Sequence, residues 1–198
     1  SEINNKFILK LKKSFKLNNI VFKNINKNDS DEKILKKIIK LDIFITKYLK
    51  LPNNFFKNKN KLKLLQLTTS DYSFIDIKNY KKHSLKIANN NGSNAISVSE
   101  HIFLLMLTIY RNFINQLIVK KNKWNNLKIY NQELFNKKIG IIGMGNIGFE
   151  LAKRCNSFGM DIFYYDIRRK SKFIEKKKGL KYQSVNKIFK NCDFISLN

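Results

Sequence analysis

Along the chain, short apolar runs alternate with stretches whose apolar residues recur at helical spacing. The runs Lys6 to Leu11, Ile20 to Phe22, Asp42 to Thr46, Lys63 to Leu67 and Leu85 to Ala88 predict strands. Between them, Asp31 to Lys40 puts Ile34, Leu35, Ile38 and Ile39 on one helical face, and Ser30 or Asp31 can cap the start. Asn53 to Asn60 and Asp76 to Lys82 predict shorter helices. Strands alternating with helices imply an α/β domain around a parallel sheet. The polar run Asn89-Asn90-Asn91-Gly92-Ser93-Asn94 breaks the pattern and marks a domain boundary, with residues 1–91 on one side and 92–198 on the other.

After that boundary, Ser97-Val98-Ser99-Glu100 has the spacing of a capping box, so a long helix is expected to start there and run to about residue 118. Its Ile102, Leu105, Met106, Ile109, Phe113, Leu117 and Ile118 form a wide apolar surface, more than one domain face needs, which suits packing between domains or subunits. The stretch from Lys123-Trp124-Asn125 to Asn136 is polar and irregular and reads as a connecting loop, with Trp124 as a packing residue. A buried strand, Lys138 to Ile142, then leads into a helix from Phe149 to Phe158, a second strand from Asp161 to Tyr165, and a last apolar run, Asp193 to Leu197.

Composition narrows the class. The 198 residues are 43% hydrophobic with one Pro and seven Gly, which excludes collagen-like and linker-like chains and allows a packed core. The net charge of +26 raises the question of a polyanionic partner. Lys is spread through every segment beside Asn and Ile, and the longest run, Lys176 to Lys178, is short, so no specific nucleic-acid surface is expected. Cys155 and Cys192 are too few for a disulfide framework and fit a reducing, cytoplasmic setting. The most apolar stretch, Ile102 to Tyr110, is too short to cross a membrane, and Ser1 to Lys13 does not resemble a cleavable signal. The chain starts at Ser1 and stops within an apolar run, so it is expected to be a fragment.

The informative motif is Gly143-Met144-Gly145-Asn146-Ile147-Gly148 at the end of the strand Lys138 to Ile142. In such a turn Gly143 permits the tight bend, Gly145 lets a pyrophosphate approach the backbone, and Gly148 lets the following helix pack on the strand. The helix N-terminus then offers amides and a positive dipole end to the phosphates. The next strand ends in Asp166, at about the 20-residue spacing that the dinucleotide fingerprint requires. A carboxylate there accepts from the adenosine ribose hydroxyls and repels a 2′-phosphate, which favours NAD over NADP. Arg168 and Arg169 soften that preference, because a guanidinium can pair with the phosphate.

Taken together, these residues resemble the D-isomer-specific 2-hydroxyacid dehydrogenases. The resemblance runs from Lys63-Leu64-Leu65-Gln66-Leu67 through Tyr72, Ile75-Asp76 and Ile87-Ala88-Asn89-Asn90. It continues through Gly92 to His101 and the glycine turn to Gly159-Met160, Tyr164-Tyr165-Asp166 and Cys192 to Leu197. It implies a flavodoxin-like substrate domain, of which 1–91 is the first segment. Residues 92–198 would be a linking helix and the first half of an inserted, doubly wound Rossmann domain for NAD. It also implies a small anionic 2-hydroxy or 2-keto acid as substrate, hydride transfer as the reaction, and a homodimer formed through the 97–118 helix. On this resemblance Asn94 lies near the substrate carboxylate, Val98 near the nicotinamide, and Asn146 and Ile147 at the pyrophosphate. Thr69, Ser70 and Asp71 match the loop whose amides hold that carboxylate, although Asp71 stands where the family usually has glycine.

The family's catalytic Arg, Glu and His are expected downstream of Asn198, so no catalytic residue is assigned in this chain and it is expected to be inactive as it stands. His83 and His101 are the only histidines, and both read as structural or surface residues. The alternative from a different class is a noncatalytic NAD-binding or interaction module on the same fold.

Overall fold

The computed structural model describes residues 13, 25, 28–118 and 131–198. The strands expected at Lys6 to Leu11 and Ile20 to Phe22, and the loop expected around Trp124, lie outside the described residues. The chain separates into two units, Ser1–Asn91 and Gly92–Asn198.

In the first unit, helix α1 (Asp31–Ile38) starts at Ser30, whose side chain accepts from the Lys33 amide, and it buries Ile34 and Ile38. Strands β1 (Ile43–Thr46), β2 (Leu64–Leu67) and β3 (Lys86–Ala88) form a parallel sheet in that order. The segment expected to be helical from Asn53 to Asn60 is only a 3-10 turn, Phe55–Lys57. Helix α2 (Ile77–Lys82) is capped by Asp76, which accepts from the Asn79 amide. Leu65, Leu67, Phe55 and Ile38 are fully buried at the centre of this unit's core.

In the second unit, α3 (Ala95–Tyr110) and α4 (Phe113–Ile118) precede a Rossmann-type run of alternating strands and helices. This run comprises β4 (Lys138–Ile142), α5 (Asn146–Ser157), β5 (Asp161–Tyr165), α6 (Lys172–Lys178), β6 (Leu180–Tyr182), α7 (Val185–Asn191) and β7 (Phe194–Leu197). The sheet is parallel throughout, in the order β6-β5-β4-β7. Chain order thus reverses direction at β4, and in such a fold the crevice outside the strands' carboxyl ends at the reversal is where ligands bind.

Two expectations about the long helix are corrected. It starts at Ala95, with Asn94 rather than Ser97 at the cap, and no side chain closes a capping box. Ser97 Oγ instead donates to Asn94 O at 3.0 Å from within the first turn, while Glu100 reaches Arg154 Nη2 on α5 at 2.9 Å. A salt bridge to a neighbouring helix therefore takes the carboxylate that the box would have used. Nor is the helix continuous from 97 to 118. It stops at Tyr110 because Asn112 is in the left-handed region at φ 49°, which Asn tolerates better than most residues. No described helix is long and apolar enough to cross a membrane.

Candidate dinucleotide site

The site grows from the packing of β4. Ile139 and Ile141 are fully buried, and they share a core with Leu151, Ala152 and Cys155 of α5. Burial of Ile139, Ile141 and Leu151 stabilises the fold by about 1.5–3 kcal/mol each relative to exposure. This packing fixes where β4 ends and where α5 begins, and the glycine turn spans the gap.

The glycines of the turn differ in what surrounds them. Gly143 has φ +94°, and a Cβ there would sit 2.4 Å from the Asn198 carbonyl oxygen, so both conformation and space call for glycine. At Gly148 a Cβ would lie 2.4 Å from the Gly143 carbonyl oxygen and 3.2 Å from Ile141 Cγ2, so glycine lets α5 approach its strand. Around Gly145 a Cβ would meet nothing within 4 Å, so the turn leaves open space over an exposed backbone. Gly145 is the N-cap of α5 and brings no capping side chain. Helix geometry leaves the first-turn amides without intrahelical acceptors, which suits a phosphate above them.

Asp166 follows the end of β5 and faces this turn. Its Oδ2 accepts from the Met144 amide at 2.7 Å and its Oδ1 from the Arg168 amide at 2.9 Å. The Arg168 amide above all, with that of Met144 and the charges of Lys170 and Arg168, holds this carboxyl below the usual carboxylate range. It is therefore ionised at neutral pH, and each oxygen keeps a lone pair for a ribose hydroxyl. Adjacent to β4, the Gly143 amide donates to Tyr165 O at 2.8 Å, which ties the turn to β5. Open space at Gly145, the N-terminus of α5 and a fixed carboxylate at the adjacent strand end fit the pyrophosphate and adenosine ribose of a dinucleotide.

The other sequence-derived positions fall in two places. Asn94, Val98, Asn146 and Ile147 belong to the second unit: Asn94 caps α3, Val98 lies in its first turn half-buried, and Asn146 and Ile147 open α5. A Cβ on Gly92, at φ +82°, would lie 2.7 Å from Asn146 Nδ2, so the starts of α3 and α5 are brought side by side. Thr69, Ser70 and Asp71 belong to the first unit, after β2. There Asp71 Oδ1 accepts from the Ser73 amide at 2.8 Å, and that bond, first of several, lowers its pKa. Its carboxylate is thus occupied within its own loop. Asn89 Nδ2 donates to Ser70 O at 2.9 Å, tying the loop to the end of β3. His83 caps α2 and stacks on Phe56 at 4.1 Å, and His101 is exposed on α3. No group of three or more His, Cys, Asp or Glu among the described residues could hold a metal.

One group was not anticipated from the sequence. Glu175 on α6 is buried, accepts from Tyr164 OH at 2.7 Å, and forms a two-point pair with Arg169. The residues are separated by a turn and a cap, so no helical or strand period links them.

Comparison with known proteins agrees with this geometry. Residues 103–198 match the family description "D-isomer specific 2-hydroxyacid dehydrogenase, NAD binding domain". The chain is 31% identical over 169 residues to a hydroxypyruvate reductase of Thermotoga maritima, covering 84% of this chain and 54% of that protein. It is 28% identical over 175 residues to a glyoxylate reductase of Pyrococcus furiosus, covering 84% and 52% respectively. The chain thus spans about half the length of these relatives. Among solved structures, a D-lactate dehydrogenase of Aquifex aeolicus, complexed with NAD and lactic acid, has a similar fold. The TM-score is 0.76 at 22% identity, covering 99% of this chain and 58% of that one. Residues 103–198 thus carry the NAD-binding domain of the D-isomer-specific 2-hydroxyacid dehydrogenase family.

Proposed function

We propose that this chain supplies the NAD-binding part of an oxidoreductase that moves a hydride between NAD(H) and a small 2-hydroxy or 2-keto acid. The observation that carries the reading is the glycine turn with its open face at Gly145, closed on one side by the ionised Asp166. NAD supplies the hydride acceptor or donor. Residues of this chain bind and orient it: the turn and the amides at the start of α5 take the pyrophosphate, and Asp166 takes the ribose. Asn94 and Val98 are proposed at the reacting end, and Thr69, Ser70 and Asp71 in a loop for the substrate carboxylate, with the Asp71 side chain turned to Ser73.

Of the two histidines, His83 stacks on Phe56 within the first unit and His101 is exposed on α3. General acid–base help is worth about 10²–10⁴ in rate, so the 198 residues alone are expected to bind cofactor without turnover. The family relationship favours a catalytic whole protein over a noncatalytic module. We also propose a homodimer on the face of α3 and α4 where Leu105, Ile109, Phe113, Ile114 and Leu117 are exposed, to be read by sedimentation. A cytoplasmic setting suits the free thiols of Cys155 and Cys192.

The experiment is calorimetric titration of NAD into the chain and into Gly145→Val, with NADH oxidation followed against glyoxylate, hydroxypyruvate and pyruvate. The empty surroundings of Gly145 let valine enter without disturbing the fold, so binding should vanish while the circular dichroism spectrum stays unchanged. Equal affinity in the variant would refute the pyrophosphate assignment, and turnover above a cofactor-free control would put the chemistry within these residues.

A further inference from the structure

Directly after Asp166 and Ile167 comes a basic run, Arg168-Arg169-Lys170. In a site that selects NAD through a carboxylate, cations at this position work against the selection, because each can pair with a 2′-phosphate. The structure treats them unequally. Arg168 gives its backbone amide to Asp166 Oδ1, so the chain bends back toward the carboxylate. Arg169 turns instead to α6, where Nε donates to Glu175 Oε1 at 2.8 Å and Nη2 to Oε2 at 2.9 Å. Its guanidinium carbon lies 4.7 Å from the centroid of the Tyr182 ring.

Glu175 is fixed in turn. Its Oε1 accepts from Tyr164 OH at 2.7 Å, and that same hydroxyl accepts from the Lys170 amide at 3.0 Å. Hydrogen bonds from Arg169 and then Tyr164 lower the Glu175 carboxyl to about 2, so the pair is charged throughout the neutral range. A two-point fork laid against an aromatic face fixes the plane of the guanidinium as well as its position.

We propose that Glu175 is a specificity-determining residue of the dinucleotide site, which holds Arg169 against Tyr182 and so withholds that guanidinium from the adenosine 2′ position. This rests on the dinucleotide reading above and adds to it a residue outside the fingerprint. Glu175 acts through Arg169, which makes it a positioning residue. Without the carboxylate, Arg169 is a free fork three residues beyond Asp166, able to take a 2′-phosphate at two points. NAD carries only a hydroxyl there and gains nothing.

The test titrates the 198-residue chain with NAD and with NADP, as parent, Glu175→Gln, Arg169→Gln, the double variant and Asp166→Ala. Glutamine keeps the length of the side chain and an acceptor for Tyr164 OH. Glu175→Gln should tighten NADP about tenfold relative to NAD, the low end of the scale of one charge-assisted hydrogen bond. The gain should vanish in the double variant, and Arg169→Gln alone should leave the ratio where it was. An unmoved ratio in Glu175→Gln overturns the proposal, as does a gain that persists without Arg169. If Glu175→Gln does not fold, Arg169→Gln decides: a loss of NADP affinity shows that Arg169 already reaches the phosphate, and an unchanged ratio upholds its confinement. A shift in Asp166→Ala with none in Glu175→Gln rejects the role of Glu175 alone. A parent chain that binds neither dinucleotide rejects the site as a whole.

Discussion

Asp166 holds the amides of Met144 and Arg168 with its two oxygens, fixing the glycine turn to the segment after β5. The ribose contact proposed for it would use the remaining lone pairs. Asp166→Ala should therefore weaken NAD and improve NADP relative to it, because the acceptor and the repulsive charge go together. It should also cost about 1–3 kcal/mol of stability, because it leaves the partly buried Met144 amide without its acceptor. Paired titrations with the two dinucleotides and a urea melt check both parts, and an unchanged NAD/NADP ratio would reject the ribose assignment. Asp166 is legible in the sequence because it closes a five-residue apolar strand at a fixed distance from the glycines. Glu175 is not, because its partners Tyr164 and Arg169 lie on a strand and in a turn, at separations that no repeating pattern selects. Local spacing reports groups whose position the backbone dictates, and it misses groups whose position depends on side chains meeting across a turn.

The same distinction governs the elements. Strands β4 and β5 are legible to within a residue, since Lys138–Ile142 and Asp161–Tyr165 are apolar runs bounded by charged or turn residues. The start of α3 is not, because the capping-box spacing at Ser97 to Glu100 is real in sequence, yet Arg154 of α5 takes the carboxylate. The break after Tyr110 rests on Asn112 alone, with no Gly or Pro to announce it. Packing between elements is sharpest at Gly140, in the middle of β4, where α7 closes over the strand. A Cβ there would come within 2.2 Å of Ile188 Cγ2 and 3.2 Å of Cys192 Sγ, and Ile188 is fully buried with a stiff, β-branched side chain. Gly140→Ala should therefore destabilise the second unit by about 1–3 kcal/mol through overpacking. A lowered urea midpoint at unchanged slope is the expected result, and an unshifted midpoint would mean that α7 is free to move away from the sheet.

For the whole molecule the governing quantity is charge. Forty Lys and Arg face fourteen Asp and Glu, so the few acidic groups stand in an excess of cations. Asp29 meets Lys33 Nζ at 2.9 Å and Lys37 Nζ at 2.7 Å, and hydrogen bonds from Lys37 and then Lys33 lower its carboxyl to about 2. Glu175 is lowered to about 2 by Arg169 and Tyr164, and Glu150 is lowered by Lys153 and then Arg154. A carboxyl whose folded pKa lies below its unfolded value stabilises the fold fully above the unfolded value and loses that contribution as pH falls through the folded one. The window therefore runs from the ordinary values, 3.8 for Asp29 and 4.5 for Glu175, down to about 2. Over the same range every protonated carboxylate raises a net charge that already stands at +26, and self-repulsion grows. Both effects have the same sign, so melting temperature should be flat from neutrality to about pH 5 and fall steeply below it. Added salt should recover the part that comes from repulsion, because a Debye length of about 10 Å at 0.1 M screens exposed charges. The paired contributions of Glu175 and Asp29 should stay lost in salt, since they vanish with the proton taken up. Circular dichroism melts across pH at two ionic strengths separate these parts. A melting temperature independent of pH down to 3 would show that these pairs form equally in the unfolded chain and contribute nothing to the fold.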